Sequence, residues 1–135
     1  MYCFDTDVLS AVLRKSPALH VIRRLALVSP EAQFTTSINL GELLYGAARK
    51  GSAELVDRVR EVVRRAQIVL PFDEAAAEVY GALRARLERS GKRLDEPDLR
   101  IASIALANDL TLVTGNVRHF SRVPDLRVEN WLTPP

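Results

Sequence analysis

The sequence predicts an α/β fold in which helices cover both faces of a mostly parallel β-sheet. Short, continuously apolar segments such as Ile68–Leu70 are bounded by polar or turn-forming residues, which is typical of strands buried on both faces. These segments alternate with longer stretches in which apolar residues recur every three or four positions, the pattern of amphipathic helices. This alternation indicates parallel strands joined by crossover helices.

The chain begins with a strand and two helices. Residues 2–4 are apolar and form the first strand. Thr6 or Asp7 caps the helix that follows and runs to about Lys15, because both residue types are favourable at a helix N-terminus. The serine and proline at 16–17 provide an N-cap and a first helical residue for the next helix.

A second strand and two further helices follow. Residues 33–36 form the strand, and Ser37 caps a helix that reaches Lys50 and stops at the next residue, a glycine. Ser52 begins another helix, which carries apolar residues on one face and ends near Ala66.

The C-terminal half contains three more strands, separated by two long helices and one helical turn. In order, these elements are a strand at 68–70, a helix capped by Asp73 that ends near Ser90, a helix from about Pro97 to Ala107, a strand at 110–113, a helical turn at 117–121 and a strand at 126–128. No internal repeat interrupts this order, so residues 1–135 are predicted to form a single domain.

The composition excludes several classes of protein. Hydrophobic residues make up 47% of the chain and charged residues 27%, which is typical of globular domains and argues against disorder. No apolar run approaches the roughly 20 residues of a membrane span, and no secretory signal is recognisable, so we expect a cytoplasmic protein. Cys3 is the only cysteine, which excludes a disulfide or a multi-thiolate metal site within one chain.

The basic residues are mostly arginine. The net charge is only +2, but sixteen of the basic residues are arginines and three are lysines. Arginine binds phosphate and carboxylate groups through paired hydrogen bonds. A solvated arginine-rich surface explains this bias more simply, so charge alone argues only weakly for a nucleic-acid partner.

Several polar residues follow predicted strands directly. Asp5 follows the first strand, and Thr114 and Asn116 follow the strand at 110–113. In parallel sheets, ligands bind just beyond the carboxyl ends of the strands. These residues are therefore candidates for a functional site.

Two further acids lie in helices. Glu42 has apolar neighbours within one turn, so its carboxylate is expected to point toward the core and to need a partner such as Arg14 or a metal ion. Asp98 lies in the first turn of its helix, where it also complements the helix dipole. Helix capping explains Asp5 and Asp7 equally well when each is considered alone.

Considered together, these carboxylates predict a metal site. Acids that converge on one cleft repel one another unless a cation lies among them. Oxygen ligands without a cysteine or histidine pair favour Mg²⁺ or Mn²⁺, either of which activates a water and polarises a phosphodiester. His20 and His119 are far apart in the sequence, and we interpret both as structural or surface residues.

Five segments carry a resemblance to a known family. They are CFDTDVLS at 3–10, SINLGELLYGA at 37–47, LPFDEAAAEVYG at 70–81, DLRIASIALAND at 98–109 and LTLVTGNVRHFSRVPDLRVENW at 110–131. In this order and spacing they resemble the PIN-domain ribonucleases, specifically the VapC-type toxins of toxin–antitoxin pairs. The resemblance covers nearly the whole chain.

The resemblance implies a three-layer α/β/α sandwich with about five strands, and an endoribonuclease that depends on Mg²⁺ or Mn²⁺. It assigns Asp5 and Asp98 as direct metal ligands. Glu42 would bind the metal through water or orient the attacking water. Thr114 and Asn116 would hold the phosphate or waters around the metal. The implied reaction is hydrolysis of an RNA phosphodiester by a metal-activated water.

The sequence departs from the family pattern at a few positions. Asn116 stands where many relatives have aspartate, which leaves one carboxylate fewer for a second metal. His119 replaces an accessory acid. Asp7 stands where asparagine or serine is common, and we expect it to be a cap or to hold water near the metal. Asp95 and Glu96 are expected to add to the negative field of the site.

The resemblance also implies partners. An RNA substrate requires cations near the cleft, and Arg100 and Arg118 are the candidates. VapC-type toxins are commonly homodimers, and a VapB-type antitoxin neutralises them by laying its C-terminal segment in the groove. That segment often places an arginine among the acids, a pairing that suits the arginine fork.

Two other functions are considered. Asp5 and Asp7 could serve as the nucleophile and acid of an aspartate-based phosphatase, but no lysine or paired acids follow Thr114, and that mechanism needs both. A scaffold or RNA-binding protein on the same fold would have lost its acids, whereas three remain here. Both alternatives are weaker than the nuclease.

Overall fold

The structure, a computed structural model, describes residues 1–134, so Pro135 of the predicted domain lies outside it. The described residues form five strands, seven α-helices and one 3-10 helix (Pro30–Ala32). The strands are β1 (Tyr2–Phe4), β2 (Gln33–Thr36), β3 (Ile68–Leu70), β4 (Thr111–Val113) and β5 (Val128–Glu129). The helices are α1 (Thr6–Leu13), α2 (Leu19–Leu25), α3 (Ser37–Arg49), α4 (Ala53–Ala66), α5 (Glu74–Arg89), α6 (Glu96–Ala107) and α7 (Val117–Phe120).

The five strands form one sheet in which every neighbouring pair is parallel. The strand order is β3-β2-β1-β4-β5. The chain adds β2 and β3 on one side of β1, and then crosses over to add β4 and β5 on the other. The carboxyl ends of β1 and β4 therefore lie side by side where the strand order reverses, the place at which open α/β sheets bind ligands.

Successive residues of the central strands point to opposite faces of the sheet and enter two separate cores. Cys3 and Leu112 pack with residues of α5 and α6, whereas Phe4 and Val113 pack with residues of α1, α3 and α4. All four are fully buried. The predicted three-layer arrangement with a parallel sheet is confirmed, and its two covered faces explain the continuously apolar strands.

The start of α1 differs from the prediction. Its N-cap is Asp5, one of the two aspartates considered as caps, whose Oδ1 accepts the N–H of Thr6 at 2.9 Å; Thr6 and Asp7 lie inside the helix. The helix ends at Leu13, before Lys15. Strand β1 therefore leads into the helix without a linker, and the first acid of the proposed site is held by both elements.

Two other helix starts and one strand were also predicted incorrectly. Helix α2 begins at Leu19 rather than at 16–17. The N-cap of α3 is Thr36 instead of Ser37, because the Thr36 side chain accepts the N–H of Asn39. Strand β3 was expected to be buried, yet Ile68 is 44% exposed, because this strand forms an edge of the sheet.

The last strand also lies slightly later than predicted, at Val128–Glu129 instead of 126–128. Its register places Val128 opposite Leu112 of β4. Among the helices of residues 1–134, none is long and apolar enough to cross a membrane.

Candidate active site

Asp5 lies at the reversal point of the sheet and is held by four hydrogen bonds. Its backbone N–H donates to the carbonyl of Val113 at 2.9 Å, which extends the β1–β4 ladder. Its Oδ1 accepts the Thr6 N–H and the Asn39 side-chain amide, both at 2.9 Å. Its Oδ2 accepts the hydroxyl of Thr114 at 2.7 Å. The carboxylate is only 8% exposed and its direction is fixed by donors on both oxygens.

Glu42 does not point into the core, contrary to the prediction. It is exposed on α3, where its Oε1 accepts the hydroxyl of Thr6 at 2.8 Å. No arginine or lysine of residues 1–134 forms an ion pair with it, so the salt bridge considered as an alternative to a metal, with Arg14, Arg49 or Lys50, is absent. The apolar neighbours that suggested burial flank the face of α3 that borders a cleft.

Asp98 is the acid that the surrounding charges affect most. It lies in the first turn of α6 and is partly buried. Burial, followed by the charges of Asp5, Glu42, Asp95 and Asp7 in that order, raises its pKa to about 6. All of these contributions act in one direction, and none comes from a cation. The structure therefore brings the predicted acids into one mutually repelling group.

Asp7 connects α1 to the loop that follows β4. Its Oδ2 accepts the backbone N–H of Gly115 at 2.9 Å, and its Oδ1 is buried without a hydrogen-bond partner. Burial and the charge of Asp5 raise the pKa of Asp7, while the Gly115 N–H acts to lower it. Asp7 thus fixes the position of the β4–α7 loop and is not a helix cap.

Gly115→Ala is expected to destabilise the fold by about 1 kcal/mol, at the low end of overpacking costs, because the atoms that its Cβ would meet are at the ends of side chains. The added Cβ would lie 2.8 Å from both Asp7 Oδ2 and Leu132 Cδ1. Gly81→Ala is the matched control, because a Cβ at this position in α5 meets nothing within 4 Å, and it should gain about 0.5–1 kcal/mol. Urea unfolding measures both changes. Equal stabilities of the two variants would contradict the close packing of Asp7 against this loop.

Thr114 and Asn116, which were predicted to act together, lie in different surroundings. Thr114 is fully buried behind Asp5, so its hydroxyl cannot reach a phosphate; it donates to Asp5 and accepts the Asn116 N–H at 3.0 Å. Asn116 is the N-cap residue of α7, and its Oδ1 contacts the ring of His119. His119 therefore orients the residue that replaces the family's fourth acid.

The two acids before Asp98 also differ from each other. Asp95 adds to the negative field, because its charge helps to raise the pKa of Asp98. Glu96 does not serve the site as expected: it accepts a hydrogen bond from Tyr80 and lies near Arg84 and Arg100, and these contacts lower its pKa. Glu96 differs from Asp95 because α6 packs against α5, which brings Tyr80 and Arg84 to Glu96.

The two arginines predicted to bind phosphate differ in whether they already pair with an acid. Arg100 is committed to Glu96 at 3.5 Å, and its guanidinium lies 5.9 Å from the centre of the Phe72 ring. Arg118, in α7 two residues after Asn116, forms no ion pair with any residue of 1–134. Arg118 is the better placed of the two to meet a substrate phosphate.

The acids do not form a complete ligand cage. In the described part of the chain, no three Asp, Glu, His or Cys side chains form a group that could hold a metal ion by themselves. Mg²⁺ is usually bound through one or two carboxylates and keeps several waters. The uncompensated repulsion around Asp98, together with a donor set made only of oxygens, fits such an open site at Asp5 and Asp98.

A cleft of about 720 Å³ opens beside Asp7 and Glu42. Thr6, Asp7 and Glu42 line one part of it. Another part is lined by apolar residues of α3 and α4, namely Leu43, Ala47, Leu55 and Val59. Two basic residues, Arg14 and Lys50, also line the cleft. We call this feature the acid-ended groove. It offers an extended, mostly apolar surface that leads to a concentration of negative charge.

Asn39 is the site residue that the sequence reasoning missed. It is fully buried in α3 and bonds to Asp5, Thr6 and Thr36. Its signal was a polar residue three positions before Glu42 on an otherwise apolar stretch, a spacing that places both on one side of the helix.

Comparisons with known proteins identify the family of the chain. The PIN domain family matches residues 2–126. Ribonuclease VapC2 of Rickettsia felis is 31% identical over 131 residues, which cover 97% of this chain and 98% of that protein. The tRNA(fMet)-specific endonuclease VapC of Shigella flexneri is 33% identical over 130 residues, or 96% and 97% of the two chains.

A solved structure extends the agreement to the fold. It is VapBC2 from Rickettsia felis bound to a DNA fragment from their promoter. One of its chains superposes with a TM-score of 0.83 at 31% identity, over 96% of this chain and 98% of that one. From its sequence, its parallel sheet and its group of acids, the chain belongs to the PIN-domain family, within the VapC branch.

Proposed function

We propose that this protein is a divalent-metal-dependent endoribonuclease that acts as the toxin of a toxin–antitoxin pair. The observation that carries the proposal is the group of acids around Asp98, which raise its pKa without any compensating cation. A site of this kind is complete only when a cation joins it. The related proteins named ribonuclease or endonuclease VapC support RNA as the substrate. We expect the protein to act in the cytoplasm, where that substrate is found.

Asp5 and Asp98 would hold the ion. A bound Mg²⁺ or Mn²⁺ supplies Lewis acidity, which activates water and stabilises negative charge on the phosphate. Glu42 is exposed with only its Oε1 occupied by Thr6, so Oε2 is free to orient a water and accept its proton. Thr114 and Asn39 keep Asp5 in place, and Arg118 is available to the substrate backbone.

Mapping of new RNA ends after brief induction tests this function. Expression of the wild-type chain should produce discrete cleavage sites in total RNA, with initiator tRNA as a first candidate, given the name of the Shigella relative. The Asp5→Ala variant, expressed to the same level, should produce none. The same sites in both samples would show that another nuclease made them, and the proposal would fail.

We propose that the acid-ended groove is the binding site for a segment of the antitoxin. Its apolar lining suits the apolar face of a partner peptide, and an arginine of that peptide could pair with the acids at Asp7 and Glu42. The Rickettsia neighbour, VapBC2, is a complex that supports such a partner. A homodimer is also proposed, on the resemblance alone.

A bulky side chain placed in the groove is expected to prevent the antitoxin from binding and neutralising the toxin. Gly46 lines it, and a Cβ there meets nothing within 4 Å, so Gly46→Phe should block the groove without disturbing the core. With the adjacent antitoxin gene co-expressed, Gly46→Phe should stay toxic and fail to co-purify with the antitoxin. Gly81→Phe, equally unhindered but outside the groove, should be neutralised like the wild type. Full neutralisation of Gly46→Phe would place the antitoxin elsewhere.

A further inference from the structure

Asn39 lies between the first two acids of the site. It is fully buried in the first turn of α3, three residues before Glu42. Its side-chain amide nitrogen donates to Asp5 Oδ1 at 2.9 Å and to the hydroxyl oxygen of Thr6 at 3.0 Å. Both N–H groups of this buried amide therefore bind the first acid and the residue next to it, Thr6, which indicates a role beyond packing in the core.

Asp5 and Thr36 together set which way this amide faces. Because the Asp5 carboxylate only accepts, the amide nitrogen must face Asp5, and the amide oxygen then accepts the Thr36 hydroxyl at 2.7 Å. The opposite orientation would set the amide oxygen against the Asp5 carboxylate and the amide nitrogen against a hydroxyl. The Thr36 side chain also accepts the Asn39 N–H at 3.2 Å, which ties the pair to the start of α3.

The bonds continue from Asn39 to Glu42. Thr6 accepts one N–H from Asn39 and donates its own hydroxyl proton to Glu42 Oε1 at 2.8 Å. Each donor in the chain from Thr36 to Glu42 has one acceptor, and every proton has a defined direction. The direct consequence is a continuous link between a carboxylate at the end of β1 and a carboxylate on α3.

We propose that Asn39, oriented by Thr36, is a positioning residue that sets the carboxylates of Asp5 and Glu42 relative to each other for metal binding and cleavage. This inference rests on the proposed nuclease function for its kinetic part, but not for its metal-binding part. Hydrogen-bond donors behind metal ligands fix the direction of the ligand lone pairs, and losing one typically costs 10–100-fold in metal affinity or activity.

The test uses four substitutions, of which three keep the approximate volume of the side chain. Asn39→Leu keeps the approximate volume and removes both donors. Thr36→Val removes the hydroxyl that orients the amide, whereas Thr36→Ser keeps it. Thr35→Val is the matched control: Thr35 is also fully buried, and its hydroxyl bonds only to the backbone oxygen of Phe4, at 2.8 Å, and to no acid side chain.

Two measurements are made on each folded variant, full-length and free of partner. Calorimetric titration with Mn²⁺ alone should show an affinity about 10-fold or more lower for Asn39→Leu and Thr36→Val. Single-site RNA cleavage should show a similar fall in kcat with little change in KM, because the substrate contacts are intact. Thr36→Ser and Thr35→Val should match the wild type in both.

The outcomes separate this inference from the proposed function. If Asn39→Leu fails to fold, the Thr36→Val and Thr36→Ser pair decides the result. Wild-type Mn²⁺ affinity and kcat in a folded Asn39→Leu, or equal losses in Thr36→Val and Thr35→Val, would overturn the positioning role. A wild-type chain that binds Mn²⁺ through Asp5 without cleaving RNA would instead refute the nuclease proposal, while the metal titrations would still test Asn39.

Discussion

Asp5→Asn is expected to reduce RNA cleavage by roughly 10²–10³-fold or more while leaving the fold intact. The asparagine can still accept from Thr6 and Asn39 through its oxygen, and the Thr114 hydroxyl can turn to accept from its nitrogen. What is lost is the negative charge at the reversal point of the sheet. Single-turnover cleavage, with thermal unfolding as a check on folding, measures the effect.

Asp7→Asn is the matched control for this substitution. Asp7 is two residues away in the same helix, carries the same charge and also loses one carboxylate oxygen. Its contact is with the Gly115 N–H, which an asparagine oxygen can still accept, so most of the cleavage activity should remain. Equal losses from Asp5→Asn and Asp7→Asn would mean that net charge, and not a specific ligand at Asp5, supports the reaction.

Asp98→Asn is expected to abolish cleavage and at the same time to stabilise the metal-free protein at neutral pH. The two effects have one cause, because the same carboxylate that would bind the ion is repelled by Asp5, Glu42 and other acids when no ion is present. Asparagine keeps the shape of the side chain and removes the repulsion.

The pKa of Asp98 determines whether the stability of the fold rises or falls with pH. The pKa of Asp98 is about 6 in the folded chain and 3.8 as its ordinary value, so between these values the folded state holds a proton that the unfolded state has lost. Stability therefore falls as pH rises from about 4 to 6, and the penalty persists above 6. The full shift corresponds to about 3 kcal/mol, which solvent screening of this partly exposed group reduces to about 1 kcal/mol.

Urea unfolding of the wild type and Asp98→Asn across pH 4–7 measures the difference. The two chains should have similar stability near pH 4, and the variant should be more stable by about 1 kcal/mol at pH 7. Adding Mg²⁺ should narrow the gap at pH 7 by stabilising the wild type only. A variant that is less stable than the wild type at pH 7 would contradict the repulsion on which the metal site rests.

Much of the fold was predictable because its signals are local. The apolar runs and helical spacing identified every strand and α-helix but not the 3-10 helix at Pro30–Ala32, and the family motifs led to the proposed acids Asp5, Glu42 and Asp98. Helix starts were less predictable, since Thr36 and Ser37 are both good caps and only the tertiary position of Asn39 distinguishes them. Family membership also removes the phosphatase alternative, in which Asp5 would have been a nucleophile.

The surroundings of the site could not be predicted, because they depend on contacts between distant segments. Glu42 has a helical pattern that suggests burial, yet the neighbouring cleft leaves it exposed with a threonine as its partner. Thr114 looked like a phosphate ligand, but the depth of β4 places it behind Asp5. The local sequence suggests that Asp7 is a helix cap. Its actual partner is the Gly115 N–H of the β4–α7 loop, 108 residues later in the chain.

The most direct test of the central claim is the rate of RNA cleavage as a function of Mg²⁺ concentration. Purified wild-type protein, free of any antitoxin, should be inactive in chelator and show a saturable rise in rate as Mg²⁺ is added, with Mn²⁺ able to substitute. Asp98→Asn should show no rise over the same range. Cleavage that persists in chelator, or a wild-type metal response in Asp98→Asn, would contradict a metal-dependent site at these acids.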